Sequence, residues 1–395
     1  MHDQYQGGTI VIRELLHNNL RQYGMVAALL LIMLLFQILT AGTLLKPLNI
    51  TNLILQNSYI LVLAVGMVIV IITGHIDLSV GSIAAFIGAI SAILMVQLHV
   101  HPFLAVILCL ALGALIGAWQ GFWVAYVKIP AFIVTLAGML LFRGLTLVAL
   151  EGQSIAPFPN AFQQMSSGFI PDFFGGESLH IFSLVIGALL SLIFIYREVK
   201  NRNKRMKYDY NVLPQKLFIA KIIALVAVIN VFTYILASYK GIPNILVILF
   251  VLIAAYTFVM NKTVIGRHIY AVGGNAKAAG LSGVNTKRVT FWVFVNMGVL
   301  SALSGMIFAA RLDAATPKAG TLFELDAIAA SFIGGASAYG GIGTVTGAVV
   351  GGLVMGVMNN GMSIIGLGID WQQAIKGLVL LLAVAFDIFN KNRSS

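Results

Sequence analysis

Twelve apolar runs follow one another along a chain of 395 residues. Most are at or near the ~20 residues a helix needs to cross a bilayer. They lie at about 25–42, 53–73, 80–98, 103–127, 130–150, 179–196, 217–238, 244–260, 289–311, 325–336, 345–366 and 371–389. Inside hydrocarbon a backbone must satisfy its own hydrogen bonds, so runs of this length fold as helices. The expected fold is all-α and polytopic, with about 12 transmembrane helices. The tenth run, LDAIAASFIGG, is too short to cross alone. It is either a helix broken by the Gly-rich loop or a re-entrant piece, both tolerated where protein buries the backbone.

Composition supports this reading: 59% of residues are hydrophobic and 9% charged, against about 25% charged in ordinary globular chains. The net charge of +11 is no nucleic-acid signature, because the basic residues cluster in a few segments between apolar runs. With twelve crossings and a cytoplasmic start, 18 of the 24 Lys and Arg fall on the cytoplasmic side, eight of them between Arg197 and Lys221. Seven of 13 acidic residues fall outside: Glu151, Asp172, Glu177, Asp313, Glu324, Asp326 and Asp370. That asymmetry is the positive-inside bias. Residues 1–24 read as a cytoplasmic lead-in, with an amphipathic stretch that either lies on the membrane surface or is solvated. No A-x-A-like site follows the first apolar run, which is therefore expected to stay as a helix. Residues 390–395 form a cytoplasmic tail, and the single cysteine, Cys109, rules out an intrachain disulfide.

Between two spanning runs lies GRHIYAVGGNAKAAGLSGVNTKR, residues 266–288, with four Lys or Arg and no acidic residue. Asn275 is placed to cap a short helix, AKAAGLS, and Gly283 to end it. A small alanine-rich helix at the cytoplasmic face has no membrane role of its own, and reads as a surface that another protein grips. The dipeptide Gly-Lys is absent from the chain, so there is no phosphate-cradling G-x-x-x-x-G-K-[ST] loop. Gly273 and Gly274 then belong to a turn leading into the short helix. Neither H-E-x-x-H nor G-x-S-x-G occurs. His99 and His101 lack further nearby metal ligands and read as external loop.

Three ionisable residues within or beside the apolar runs stand out: Asp77, Arg143 and Lys376. Asp77 either caps the helix starting near Ser79 or faces a vestibule. Arg143 and Lys376 sit near helix ends, where long side chains snorkel to water. Gly113, Gly117 and Gly121, then Gly347 with Gly351 and Gly352 with Gly356, recur at intervals of four. Small residues at that spacing bring helix backbones together, within one subunit or between two.

The blocks HIDLSVGS (75–82), IPAFIVTLAGM (129–139), GRHIYAVGGNAKAAGLSGVN (266–285), ELDAIAASFIGGAS (324–337) and NNGMSIIG (359–366) together resemble the sugar-permease family of bacterial ABC importers. That family holds the ribose, xylose, arabinose and galactose permeases. The resemblance covers about 45–390. Ribose-type members are shorter, with a ten-helix core. The extra material near 165–240, two added helices and a basic loop at 197–216, is similar to xylose-type, multiple-monosaccharide members.

The resemblance implies a permease subunit that moves monosaccharides of the xylose, galactose, arabinose and glucose type across the bacterial inner membrane. It implies a homodimer, served by an ATP-binding subunit with two ATP-binding domains on one chain and by a periplasmic or lipid-anchored sugar-binding protein. The chain itself would hold no cofactor, ATP and Mg being bound by the ATPase. The family's coupling segment falls on Gly274, Asn275, Ala276, Lys277, Ala278, Ala279, Gly280, Leu281, Ser282 and Gly283. Candidate pathway residues are Asn57, Asp77, Gln120, Asn296, Asn359 and Asn360, each with interhelical hydrogen bonding as the competing role. Candidate positions for binding-protein docking are Glu151, Asp313, Glu324 and Asp326, set against plain solvated charge. The added helices are expected to stand apart from the pathway, with the basic loop near anionic lipid or the flank of the ATPase. Competing functions are a nucleoside or autoinducer permease of the same kind and a secondary sugar transporter.

Overall fold

The computed structural model describes residues 24–176, 179–208, 210 and 212–394. The expectations for residues 1–23, and for Glu177, lie outside them. The described chain is helical throughout, with only two isolated bridges of extended backbone. Each of the twelve expected crossings is present as a helix. Among the described residues nine helices are long and apolar enough to cross a membrane: α2 (Pro47–Ile72), α3 with its π turn (Val80–Gln97), α4 with its π turn (Pro102–Val127), α5 (Ala131–Leu150), α7 (Ile181–Lys207), α8 (Gln215–Ala237), α9 (Asn244–Lys262), α12 (Thr286–Leu312) and α14 (Val345–Ile364). To these are added two shorter helices, α1 (Gly24–Leu39) and α13 (Phe323–Ile333), and the 26-residue α15 (Ile369–Ser394). The protein is a multi-pass membrane protein.

Three short helices lie between them: α6 (Asn160–Ser167), α10 (Val264–Gly274) and α11 (Ala276–Leu281). Two irregular expectations are replaced by helix. Gly273 and Gly274 form the last turn of α10 rather than a loop. Much of the expected basic loop at 197–216 is helix, because α7 runs on to Lys207. No Pro or Gly interrupts REVKNRNKRMK, and its C-terminal Lys and Arg suit the negative end of the helix dipole. Similarly α15 carries helix through most of the expected tail.

The chain divides into two compact units. In the larger, α12 is the central post, buried from Thr290 to Ala310 on most of its faces. It packs on α4 through the glycines spaced by four. A Cβ at Gly298 would lie 2.2 Å from the Gly113 carbonyl oxygen, and one at Gly117 2.4 Å from that of Phe294. Lipid tails supply no hydrophobic force between helices, so close backbone approach is what holds such a pair together. α13 and α14 meet in the same way: a Cβ at Gly351 would fall 1.9 Å from the Ala330 carbonyl oxygen, and one at Gly347 2.2 Å from that of Gly334. Gly356 packs on the Asn57 side chain and Gly352 on Leu61. The stripes thus serve packing within one subunit.

The segment after α5 is folded. Asp313, just past α12, accepts the Phe158 N–H at 2.7 Å and the Gln163 amide at 2.8 Å, and so holds α6 with Phe158 and Phe162 buried beneath it. His101 accepts the Phe103 N–H and caps α4, a structural role in the loop expected for it.

The smaller unit, residues 45–52 and 169–243, contains the added pair α7–α8. Ser183, Gly187 and Ser191 recur every four residues and are buried on α7. Gly187 faces Thr233, and Ser191 accepts a hydrogen bond from Asn230 at 2.8 Å. The two serines therefore mark the seam with α8. Asp172 gathers the N-terminal end of α7. Its carboxylate accepts N–H groups of Phe174, Gly176, Ile181 and Phe182.

Two expectations follow from this packing. Gly298→Ala forces a methyl into the Gly113 backbone and should lower stability by about 1–3 kcal/mol, whereas Gly88→Ala, whose nearest atoms lie at 3.6 and 3.7 Å, should change little. Thermal midpoints of the detergent-purified variants test this, and equal midpoints would mean that α4 and α12 yield freely. For Asp172, desolvation raises the carboxyl, but the four N–H groups outweigh it and lower it to about 2. A depressed folded-state value contributes stability above the ordinary carboxyl range of about 4, and that stability is lost as pH falls toward about 2. Protection factors at Ile181 and Phe182, which already allow for the intrinsic pH dependence of amide exchange, should therefore fall over that interval, and Asp172→Ala should abolish that fall.

Candidate functional site

Three constellations carry polar chemistry in the larger unit. The first is the segment between α9 and α12. Asn275 turns out of helix, and its side-chain oxygen accepts the Ala278 N–H at 3.0 Å, capping α11 as the sequence implies. Past the helix, Gly283 takes φ +87°, and the Val284 N–H returns to the Ala279 carbonyl at 3.0 Å. The cap and the stop fix which face is presented. Ala279 is turned inward, while Lys277, Ala278 and Gly280 are exposed and Leu281 is 92% exposed.

α10 anchors this element to the helices. A Cβ at Gly273 would lie 1.7 Å from the Ile72 carbonyl oxygen at the end of α2, so only glycine fits there. That same oxygen accepts the Gly341 N–H at 2.8 Å, and the Tyr270 hydroxyl donates to the Gly343 carbonyl at 2.8 Å. Thus α10, the end of α2 and the turn between α13 and α14 move as one knot.

The second constellation joins two of the pathway candidates. Gln120 donates to the Ser79 hydroxyl at 2.8 Å, which in turn donates to Asp77 at 2.5 Å. All three are buried, and Gly138 of α5 sits against the Gln120 amide, where a Cβ would be 2.5 Å away. Asp77 does not cap α3 in the expected manner. Its carboxylate accepts the N–H of Ser79, the residue before the helix, and no side chain caps the first turn.

The remaining candidates are apart from these. Asn57 donates to the Leu53 carbonyl at 2.9 Å and packs on Gly356, one turn before Asn360, which is also buried. Asn296 accepts the Tyr256 hydroxyl, linking α12 to α9. The six residues therefore do not form a single site: Gln120, Asn296 and Asn359 bond across elements, whereas Asn57 bonds within its own helix and Asp77 only to Ser79.

The third constellation is one that sequence reasoning distributed wrongly. Glu324 and Asp326 stand in the first turn of α13 and are 6% and 3% exposed. Neither is on an external docking surface. The stretch before α13 returns into the protein, with Gly320 so tight against Gly81 that a Cβ would meet its carbonyl oxygen at 1.9 Å. The tenth run is thus a crossing broken at its entry, and its acidic first turn is buried with it. Asp326 pairs with Lys376 of α15 at 3.0 Å and also bonds the Asn359 amide. Lys376 consequently does not snorkel. Arg143 does not either: its guanidinium donates to the Ala319 carbonyl at 2.7 Å and reaches Thr321 at 3.4 Å. Asp313 is committed to α6, as described above. Of the four docking candidates only Glu151, which ends α5 at φ +49°, is exposed. The missed signal was one Asp and one Lys on separate apolar runs, each otherwise unpaired in sequence.

Comparison with known proteins follows this geometry. Residues 49–384 match the family described as branched-chain amino acid transport system / permease component. The chain belongs to this family. It is 41% identical over 377 residues to the xylose transport system permease protein XylH of Escherichia coli K12, covering 95% of this chain and 94% of that one. The Haemophilus influenzae protein of the same name is 39% identical over 375 residues, covering 95% and 98%. The ribose import permease protein RbsC of E. coli K12 is 35% identical over 339 residues, covering 86% and 85%. No solved structure matches the chain.

The ion pair gives a clear expectation. Lys376→Met leaves Asp326 buried without its cation and should cost about 3–5 kcal/mol, while the double change with Asp326→Leu should recover most of the loss. Thermal midpoints of the two variants in detergent test it. A double variant no better than the single would show that the pair is not a closed unit.

Proposed function

We propose that the chain is the membrane-spanning permease subunit of an ATP-driven importer of monosaccharides. It receives sugars of the xylose, galactose, arabinose and glucose type from a binding protein outside the inner membrane and releases them into the cytoplasm. Two copies form the pathway. ATP hydrolysis belongs to a separate subunit, which binds ATP and Mg.

The observation that carries this reading is the capped helix α11. A protein that moved solute by itself would have no use for an alanine-rich turn ending in a nearly fully exposed leucine at a basic face. An ATPase groove would cover that leucine. The knot of α10, α2 and the 340–343 turn offers a stiff route from the groove to the spanning helices. The weakly polar interior is in keeping with a pathway that leaves selection to the binding protein. A sugar is costly to desolvate without hydrogen-bonding partners, and buried Asn and Gln side chains supply some.

Residues 276–281 also dictate the test. A large side chain at Ala279, which is buried, would disrupt the segment itself. Leu281→Glu changes only the presented face. In proteoliposomes containing the ATPase and a sugar-loaded binding protein, it should cut sugar-stimulated ATPase and uptake by about tenfold or more, the effect of losing one interface anchor. Lys262→Gln, an exposed change outside residues 266–288, is the control and should retain both. Full activity of Leu281→Glu would remove α11 as the ATPase contact.

A further inference from the structure

The cytoplasmic end of α7 carries a feature that sugar transport does not use. We propose that it is a binding site for the phosphate head of an anionic phospholipid in the surrounding leaflet. Where α7 ends, Asn201, Lys204, Arg205, Tyr208 and Tyr210 line a shallow pocket of about 460 Å³. All five are exposed. The lining offers two cations, an amide and two phenols, the donor set that a phosphate oxygen cluster requires.

Two neighbouring cations, Arg202 and Lys221, are engaged elsewhere. Arg202 donates to the Leu213 carbonyl at 2.7 Å and lies over the Phe218 ring at 4.5 Å, and Lys221 pairs with Glu198 at 2.8 Å. Among the described residues Lys204 and Arg205 make no side-chain hydrogen bond or ion pair. The engaged groups brace α7 against the start of α8, and this leaves the pocket cations presented on a fixed scaffold.

Position selects lipid over a soluble anion. The preceding part of α7 is an exposed apolar surface, with Leu189, Leu190, Leu192 and Ile193 each 40% or more exposed, and Tyr196 follows at 63%. Aromatic side chains of this kind mark the interface, so hydrocarbon ends near Arg197. From there to Asn201 the helix rises about 6 Å. Each headgroup layer is about 5–8 Å deep; Lys204 and Arg205 stand about 10–12 Å past Arg197, and their long side chains, leaning toward the helix N-terminus, reach back to that layer. Juxtamembrane basic residues on the cytoplasmic side meet the negative potential of that leaflet.

The test uses the full chain in detergent, titrated with dioleoylphosphatidylglycerol and followed by native mass spectrometry and thermal shift. Lys204→Gln/Arg205→Gln should weaken phosphatidylglycerol binding by about 30-fold, the product of two headgroup-level charges. Wild-type binding should weaken in high salt, and dioleoylphosphatidylcholine should not stabilise the protein. Lys128→Gln/Lys262→Gln, removing two basic residues elsewhere on the cytoplasmic side, should bind like wild type. Both pairs are exposed, and each variant's midpoint without lipid reports folding. Equal binding by all three proteins, or equal loss in both variants, would overturn the site. A shift of the same size with millimolar inorganic phosphate alone would overturn the lipid assignment.

Discussion

Backbone-to-backbone contact between α4 and α12 is the constraint on which the larger unit depends. In lipid an apolar side chain gains nothing by leaving one hydrocarbon surface for another, so helices associate through close packing. Gly113, Gly117 and Gly298 remove the side chains that would hold the axes apart. α12 can then be surrounded, and it becomes a post against which α3, α4 and α10 are fixed. The same device joins α13 to α14, and a Gly–Thr version joins α7 to α8.

Once the posts are set, the broken crossing becomes possible. A descending segment and an eleven-residue helix expose backbone that lipid would not tolerate. Here Gly81 and Gly320 bury that backbone against α3, and Arg143 satisfies the Ala319 carbonyl. The acidic first turn of α13 gains Lys376 and Asn359 from two other helices. A buried charge of this kind contributes little net stability, but it tolerates only one arrangement of its partners. It therefore specifies how α13, α14 and α15 meet. The turn that follows α13 then reaches Ile72 and Tyr270, which ties the break to α10 and the capped helix after it.

Elements with local causes were legible in the sequence. The twelve apolar runs, the Asn275 cap, the Gly283 stop and the short tenth helix each follow from residues close in the chain, through hydrophobic length and capping chemistry. The glycine intervals announced close packing, though not its partners. The extension of α7 to Lys207 lies beyond what the apolar run delimits. Charge ends the hydrocarbon span, while a helix stops only at a breaker or an unfavourable cap.

What only the tertiary structure decided is where each polar group finds its partner. Asp326 and Lys376 are fifty residues apart, Arg143 and Ala319 further still, and nothing local distinguishes a buried pair from two solvated charges. The same holds for Asp313, an external carboxylate by position that in fact pins α6, and for Gln120 and Asp77, joined through Ser79. Burial of a charge is a property of the assembled helices: the low-dielectric surroundings that make pairing obligatory exist only after packing. The sequence determined that the chain crosses a membrane and offers a capped helix on one side, because hydrophobic length and caps act over a few turns. The assignment of its charged residues between surface and interior belonged to the fold.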